Sequence, residues 1–545
     1  MQGPRREAPP FLHERACGVL LHPSSLPGQH GSGDLGPGAR AFVDYLAGAA
    51  QRWWQMLPVG PPGYGESPYS AESTFAGNPM LVSPEGLVAA GLLDPAKLRP
   101  EEPLRDDRVD YVPMARHRTN LLRAAFDTFQ STKQRRGFGA FCESNSAWLD
   151  EFALFRALKR AHGGVQWTRW PATVRDRDPD ALAAARRDLA HDIALEKFEQ
   201  FVFEQQWQDL RAYARARGVG LIGDLPIFVA HDSADVWQHP EAFRLDRAGE
   251  PTVVAGCPPD YFSVSGQRWG NPLYRWRHMK ATGYAWWIDR LRVTLRRFDA
   301  VRLDHFIGFQ RYWEIPATEP TAVRGRWMKG PGADFFDAVE RALGHPGASA
   351  GGRGPALPLI AEDLGEATPA VYALRDRFRF PGIRLLQFAF GADRQAKSFL
   401  PHNYPRRAVV YTGTHDNDTV VGWFHDRGGP DSTRSAEQAA RERDAALRYL
   451  GTTGDEIHWD MIRAALASVA RLAVVPVQDL LGLGSEARMN RPGKATGNWS
   501  WRVGEGALSP AVAARLASMT RTYGRAAPER ETAEREPVER EEAAS

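Results

Sequence analysis

Short apolar segments alternate with stretches of helical spacing along most of the chain. Each apolar segment ends in turn residues and is followed by a loop and a helical pattern. This alternation predicts a parallel sheet, and eight such units favour an α/β fold of the (β/α)8 TIM-barrel type over an open sheet. We expect the barrel to occupy residues 15–505, with strands at residues 18–22, 53–59, 220–224, 300–304, 358–362, 383–388, 408–412 and 472–477.

Three segments depart from this alternation. Residues 66–215 are mostly helical in pattern, most clearly at 147–160 and 193–217, and are too long for one crossover, so we expect a largely helical insertion within the barrel. Residues 60–79 are rich in Gly and Pro, and their Tyr and Phe residues favour an ordered, functional loop. Residues 525–545 are charged and lack aromatic residues, which predicts a disordered tail. No C-terminal β-sandwich is expected.

Composition narrows the class of protein. Hydrophobic residues make up 43% of the 545 residues, which excludes whole-chain disorder. The net charge of +3 gives no electrostatic case for binding nucleic acid. There is no apolar run typical of a signal peptide or a membrane span, and Cys17, Cys142 and Cys257 show no disulfide or zinc spacing. We therefore expect a cytoplasmic protein that binds neither nucleic acid nor a membrane. The 17 Trp residues suit a sugar-binding protein, although they also suit a large core.

Acidic residues stand at the ends of four predicted strands. Asp224, Asp304 and Glu362 end their strands, and Asp416 follows another closely. Because the C-terminal strand ends of a barrel share one mouth, we expect these carboxyl groups to converge. Converging carboxyl groups suit glycosyl transfer, in which one acid protonates the leaving oxygen and another attacks the anomeric carbon. Helix capping, loop ion pairs and a Mg²⁺ site are the alternatives, and the neighbouring basic residues weaken the last of these.

The residues around Asp304 and Glu362 suggest different protonation states for these two acids. Arg302 lies two residues before Asp304 on the same strand, so their side chains share a face and the arginine should keep Asp304 ionised. Glu362 stands between Ala361 and the Asp363-Leu364 pair, where apolar surroundings would raise its pKa toward that of a general acid. The pattern thus predicts a carboxylate at Asp304 and a protonated acid at Glu362.

These strand ends resemble the four signature regions of the α-amylase superfamily: GDLP at 223–226, VRLDH at 301–305, AEDLG at 361–365 and THDN at 414–417. Four longer motifs are similar to the 4-α-glucanotransferase family known as amylomaltase or disproportionating enzyme. They are SLPGQHGSGDLG at 25–36, GYGESPYSAESTFAGNP at 63–79, PPDYFSVSGQRWGNPLYRW at 258–276 and RMNRPGKATGNWSWR at 488–502.

The resemblance implies a role for each matching residue. Asp304 would be the nucleophile, Glu362 the general acid and base, and Asp416 a group that binds and distorts the sugar before the scissile bond. Residues 258–270 would lie over the active site. The implied substrate-binding residues are Tyr69, Asp224, Tyr261, Phe262, Gln267, Trp269, Arg302, His305 and His415.

The implied reaction is retaining transfer of an α-1,4-glucan segment to another glucan or to glucose through a covalent glycosyl-enzyme. The expected partners are α-1,4-glucans, maltooligosaccharides and glucose, with no cofactor and no metal; the oligomeric state is not predicted. Retention would place the carboxyl groups of Asp304 and Glu362 about 5 Å apart. A hydrolase with the same carboxylates, an inactive glucan-binding protein and a Mg²⁺-dependent lyase are the alternatives.

Overall fold

The computed structural model of the protein describes residues 14–132, 137–259, 265–344, 357–393, 395–429, 432–494 and 496–527. The strands in these ranges are β1 (Ala16–Leu20), β2 (Trp53–Gln55), β3 (Gly220–Pro226), β4 (Val253–Cys257), β5 (Gln267–Pro272), β6 (Ala300–Asp304), β7 (Arg311–Pro316), β8 (Arg326–Lys329), β9 (Leu359–Ala361), β10 (Gly382–Leu385), β11 (Ala408–Tyr411) and β12 (Leu472–Pro476).

The α-helices in the same ranges are α1 (Pro37–Gly48), α2 (Pro84–Ala89), α3 (Tyr111–Ser131), α4 (Phe138–Ala161), α5 (Ala172–Arg175), α6 (Pro179–Asp188), α7 (Ala190–Ala216), α8 (Ala234–Gln238), α9 (Trp276–Ala281), α10 (Ala285–Arg297), α11 (Ile307–Gln310), α12 (Ala333–Leu343), α13 (Pro369–Arg377), α14 (Val420–His425), α15 (Ala436–Leu450), α16 (Ile457–Ala467), α17 (Val477–Leu480) and α18 (Pro510–Thr522).

Eight parallel strands close into a barrel in the order β1, β2, β3, β6, β9, β10, β11 and β12. They overlap the eight predicted strands, so the predicted (β/α)8 barrel is confirmed. Several strands are shorter than predicted, and β2 and β10 lose the most residues at their C-terminal ends. β2 ends at Gln55, shortly before Pro58, which cannot donate a ladder hydrogen bond. β10 ends at Leu385, where a 3-10 helix begins.

Successive strand residues divide between two apolar cores. Leu221 and Val301 belong to the outer core, which includes the helices around the barrel. Ile222 and Ala300 belong to the second core, on the same strand faces as Asp224 and Arg302. The polar residues at the strand ends therefore stand directly above a packed apolar floor.

A four-stranded antiparallel sheet, in the order β5, β4, β7 and β8, stands beside the barrel. Its strands come from the segments that follow β3 and β6, and the sequence analysis did not predict them. β5 is mostly half-buried or exposed and its sequence, QRWGNP, has no apolar alternation, so its hydrogen bonds to β4 define it rather than its hydrophobic pattern. This sheet carries Gln267 and Trp269.

The chain between β2 and β3 contains the helices α2 to α7, and α4 packs against α7. The two clearest predicted helical patterns coincide with these two long helices. Within residues 84–216, no described residue belongs to a named strand. Among the described helices, none is both long enough and apolar enough to cross a membrane.

Arg525 lies at the opposite end of the barrel from the acidic strand ends and is fully buried. Its guanidinium donates hydrogen bonds to the carbonyl groups of Leu466, Ala16 and Ala470, at 2.7, 2.8 and 2.9 Å. Leu466 lies in the last turn of α16, whose carbonyl groups have no partner within the helix. The assignment of Arg525 to the disordered tail was therefore wrong, because the side chain joins the start of β1 to α16 and the segment before β12. Residues 528–545 lie outside the described residues.

We predict that Arg525→Met lowers the free energy of unfolding by about 3 kcal/mol or more, because it leaves several buried carbonyl groups without a donor. Denaturant unfolding followed by tryptophan fluorescence measures this change. Arg521→Met, at an exposed position of α18, is the matched control and should change stability by less than about 0.5 kcal/mol. Equal stabilities of the two variants would contradict the assigned role.

Candidate active site

Neighbouring strands bring the first two acidic residues together. β3 and β6 pair in parallel with Asp224 opposite Arg302 and Pro226 opposite Asp304. The Arg302 guanidinium lies between the two acids, with Nη1 2.5 Å from Asp224 Oδ2 and Nη2 2.7 Å from Asp304 Oδ1. Burial alone would lower the pKa of Arg302, but the two carboxylates raise it well above its ordinary value. The predicted pairing of Arg302 with Asp304 is present, and Asp224 completes it.

Tyr69 reaches this cluster from the loop that follows β2. Its hydroxyl donates to Asp224 Oδ2 at 2.7 Å, and burial together with the charge of Asp224 raises the pKa of Tyr69 well above its ordinary value. The tyrosine ring stacks on His415, with ring centroids 5.1 Å apart, and lies 5.8 Å from Trp499. The hydroxyl is thus a fixed donor beside a carboxylate, and Asp224 Oδ1 is buried without a hydrogen-bond partner among the described residues.

Glu362 follows β9, the strand next to β6. Its Oε2 accepts the backbone N–H of His305 at 2.8 Å and its Oε1 accepts that of Leu364 at 2.9 Å. Burial is the main reason that the pKa of Glu362 rises to about 8, and the charge of Asp304 adds to it, while Arg302 and the two N–H groups oppose it. The carboxyl group is therefore protonated at neutral pH, as the sequence predicted from its apolar neighbours.

Asp416 stands in the segment after β11 and has a more open environment, with 46% of its side chain exposed. Asn490 Nδ2 donates to its Oδ1 at 2.6 Å, and His415 Nε2 lies 3.3 Å from its Oδ2. Arg488 donates to the Asp416 carbonyl at 2.7 Å, and Asn490 N–H donates to the His415 carbonyl. The sequence analysis assigned no role to Arg488, Asn490 or Trp499, although all three lie in the motif at 488–502.

His305 directly follows Asp304 and has a left-handed backbone, with φ +50°. Its ring packs edge-to-face with Trp269 at 4.8 Å, and burial lowers the pKa of His305 to about 4, so the ring is neutral. Trp269 is 37% exposed and donates from Nε1 to Gln267 Oε1 at 3.1 Å. β5 therefore places an exposed indole against His305, the residue that follows the nucleophile candidate. Tyr261 and Phe262, two other predicted site residues, lie outside the described residues.

Most of the predicted site residues that the structure describes lie against the acids: Tyr69, Arg302, His305 and His415 contact Asp224, Asp304, Glu362 or Asp416 by hydrogen bonds or ion pairs. Within the described ranges, no three His, Cys, Asp or Glu side chains are grouped so as to hold a metal ion. The arrangement offers a carboxylate held by arginine, a protonated carboxylic acid from the neighbouring strand, and a more exposed carboxylate opposite aromatic rings. This set suits the cleavage of a glycosidic bond.

Comparison with known proteins decides the family. The family model described as 4-α-glucanotransferase matches residues 21–507. The chain belongs to the 4-α-glucanotransferase family. The 4-α-glucanotransferase of Thermus thermophilus is 50% identical over 517 residues, which are 93% of this chain and 98% of that protein. That of Synechocystis sp. is 47% identical over 521 residues, 94% of this chain and 99% of that protein.

A solved structure supports the same assignment. The amylomaltase from Streptococcus agalactiae in complex with acarbose matches with a TM-score of 0.88 and 34% identity, covering 94% of this chain and 100% of that one. The fold and the 4-α-glucanotransferase activity predicted from the sequence are therefore confirmed.

The pKa of Glu362 provides a test of the site's electrostatics. Asp304→Asn removes a negative charge that raises this pKa, so it should lower the pKa below about 8. Carbon-13 NMR of enzyme labelled at the glutamate carboxyl groups measures the titration, and Glu362→Gln identifies the signal. An unchanged or higher pKa in Asp304→Asn would contradict the electrostatic argument.

The same shift predicts the pH dependence of stability. The folded protein keeps the Glu362 proton up to about pH 8, whereas the unfolded chain releases it near its ordinary pKa of 4.5. Folding therefore takes up a proton between these pH values, and the contribution of Glu362 to the unfolding free energy falls as pH rises through this window. Unfolding free energies of the wild type should show this decline relative to Glu362→Gln; parallel pH profiles would contradict it.

Proposed function

We propose that the enzyme transfers a segment of an α-1,4-glucan with retention, through a covalent glycosyl-enzyme on Asp304. The observation that supports this proposal is that two adjacent strands carry carboxyl groups in different surroundings. Arg302 holds Asp304 by a 2.7 Å ion pair, which suits a nucleophile, while burial protonates Glu362. One carboxyl group can therefore attack while the other gives up a proton.

The first step cleaves the donor. The Glu362 carboxyl group gives its proton to the glycosidic oxygen as the Asp304 carboxylate attacks the anomeric carbon, and the leaving chain departs with a new hydroxyl group. In the second step the Glu362 carboxylate takes the proton from the hydroxyl of an acceptor sugar, which attacks the same carbon and releases Asp304. The backbone N–H groups of His305 and Leu364 support Glu362 in its charged state between the two steps.

The sugar before the scissile bond would lie between Tyr69 and Asp416. Tyr69 offers an aromatic face, and Asp416 and His415 offer hydrogen-bonding groups beside it. The unpartnered Oδ1 of Asp224 is an available acceptor for a sugar hydroxyl. Arg302 would orient both Asp224 and Asp304 without leaving its buried position.

Transfer requires that a sugar acceptor competes successfully with water. We place the acceptor beside His305 and Trp269, since the exposed indole provides an apolar face next to the nucleophile. Gln267 holds the Trp269 indole, and residues 258–270, including Tyr261 and Phe262, would cover the acceptor. Maltooligosaccharides and glucose are the proposed acceptors. We also predict that the enzyme needs no metal or cofactor and that it is cytoplasmic.

Purified protein incubated with maltotriose tests the balance between transfer and hydrolysis. We expect a ladder of longer maltooligosaccharides together with free glucose, because the acceptor site favours sugar over water. Chromatography by chain length resolves the products, and a sample treated exhaustively with EDTA should give the same ladder. Maltose and glucose alone, with nothing longer than the substrate, would identify a hydrolase.

Replacement of the nucleophile tests the site assignment. Asp304→Asn should lower kcat by about 10⁴-fold or more while glucan binding survives, because the amide keeps the shape of the side chain but cannot form the glycosyl-enzyme. Initial rates measure the first effect and calorimetric titration with a maltooligosaccharide the second. Near-normal turnover in this variant would refute the assignment of Asp304.

A further inference from the structure

The helix α4 carries three cationic side chains, and two of them, Arg156 and Lys159, pair with segments that build the active site. Arg156, Lys159 and Arg160 are spaced three and four residues apart, so they share one face of the helix. Two segments lie opposite this face. We call residues 60–83, which follow β2 and carry Tyr69, the tyrosine loop, and residues 227–233, which follow β3 and Asp224, the β3 loop.

Glu72 links the tyrosine loop to α4 by ion pairs. Arg156 Nη1 donates to Glu72 Oε2, and Lys159 Nζ lies 3.4 Å from Glu72 Oε1. Lys159 Nζ also donates to Asp232 in the β3 loop. One lysine therefore joins a carboxylate from each of the two loops, and it does so from a helix that belongs to neither.

The carboxylates of Glu72 and Glu196 in this group are buried, whereas the three cations are partly exposed. Glu72 is 5% exposed, and the fully buried Glu196 of α7 pairs with Arg160 and lies 3.6 Å from Arg156. Removing one member of such a buried group leaves an uncompensated charge, so the geometry of the group is strongly constrained. Arg156 cannot follow a displaced tyrosine loop without moving away from Glu196 on α7.

Glu72 stands at the base of the turn that carries Tyr69. Its backbone N–H donates to the Pro61 carbonyl at 2.9 Å, and Gly63 N–H donates to the Ser70 carbonyl at 2.9 Å. The Glu72 carbonyl accepts the N–H of Ala234, just beyond the β3 loop, at 2.8 Å. A shift of Glu72 therefore moves the turn, and with it the hydroxyl of Tyr69 relative to Asp224.

We propose that Glu72 and Lys159 are positioning residues, through which the helical insertion fixes the tyrosine loop and the β3 loop so that Tyr69 meets Asp224. This inference rests on the proposed function, in which Tyr69 and Asp224 contact the same sugar. The helical insertion would then contribute to the reaction, because ion pairs from α4 hold the tyrosine loop and the β3 loop. The 2.7 Å hydrogen bond between Tyr69 and Asp224 depends on the relative position of these segments. Neither Glu72 nor Lys159 needs to touch the substrate.

A double-mutant cycle tests the proposal. Glu72→Gln should lower kcat for transfer from maltotriose at least about tenfold, since small displacements of a positioned group are costly, while KM changes less than about threefold. Tyr69→Phe already lacks the hydroxyl that Glu72 positions. In that background Glu72→Gln should lower kcat by less than about threefold, because both changes act on one interaction.

The matched control breaks another ion pair of the same helix. Glu151 of α4 pairs with Arg177 at 2.7 Å and contacts neither loop through this pair. Glu151→Gln should leave kcat within about twofold of the wild type, even where its thermal midpoint falls as far as that of Glu72→Gln. A comparable loss of kcat in both variants at equal stability would show a general structural effect and would overturn the proposal.

The outcomes of the cycle separate the proposal from the function on which it rests. If Tyr69→Phe lowers kcat and Glu72→Gln lowers it by its full factor again in the double variant, the positioning role is refuted while the function of Tyr69 stands. If Tyr69→Phe retains the full transfer rate, the role of Tyr69 and the positioning role both fail. Should Glu72→Gln not fold, Lys159→Gln at the bridging position replaces it in the same cycle, with the same expected non-additivity.

Discussion

The buried guanidinium of Arg302 is the interaction on which the site depends. An arginine at the end of a barrel strand, 4% exposed, needs acceptors for its buried donors, and the carboxylates of Asp224 and Asp304 provide them. That requirement fixes the relative position of β3 and β6. Glu362 lies one strand further around the barrel, has no ion pair with any residue that the structure describes, and keeps its proton because burial raises its pKa to about 8.

Sequence reasoning recovered the barrel because buried parallel strands leave a strong signal: a short apolar run closed by turn residues. It placed Asp224, Asp304 and Glu362 at or near strand ends for the same reason, since an acid at the end of such a run is conspicuous. The function came largely from the resemblance of longer motifs to one family. Even so, the distance between the carboxyl groups of Asp304 and Glu362 remains a prediction.

What sequence reasoning missed depends on contacts between distant segments. β5 lacks an apolar pattern and exists through its pairing with β4, so no local rule finds it. Asn490 supports Asp416 across 74 positions of sequence, and the partners of Glu362 are backbone N–H groups, which carry no sequence signal. Arg525 looked like the start of a charged tail because composition cannot show that its donors meet six buried carbonyl groups.

The closure of the barrel by β1 and β12 has a consequence for how the chain is made. β1 pairs with β2 on one side and with β12 on the other, and β12 begins at Leu472. At typical synthesis rates the ribosome needs on the order of 20 to 90 seconds to make the intervening residues, and Arg525 emerges later still. Throughout that interval the nascent β1 has an unsatisfied edge that any other strand can join. The barrel sheet can therefore close only after β12 has left the ribosome, so its folding is completed late in synthesis.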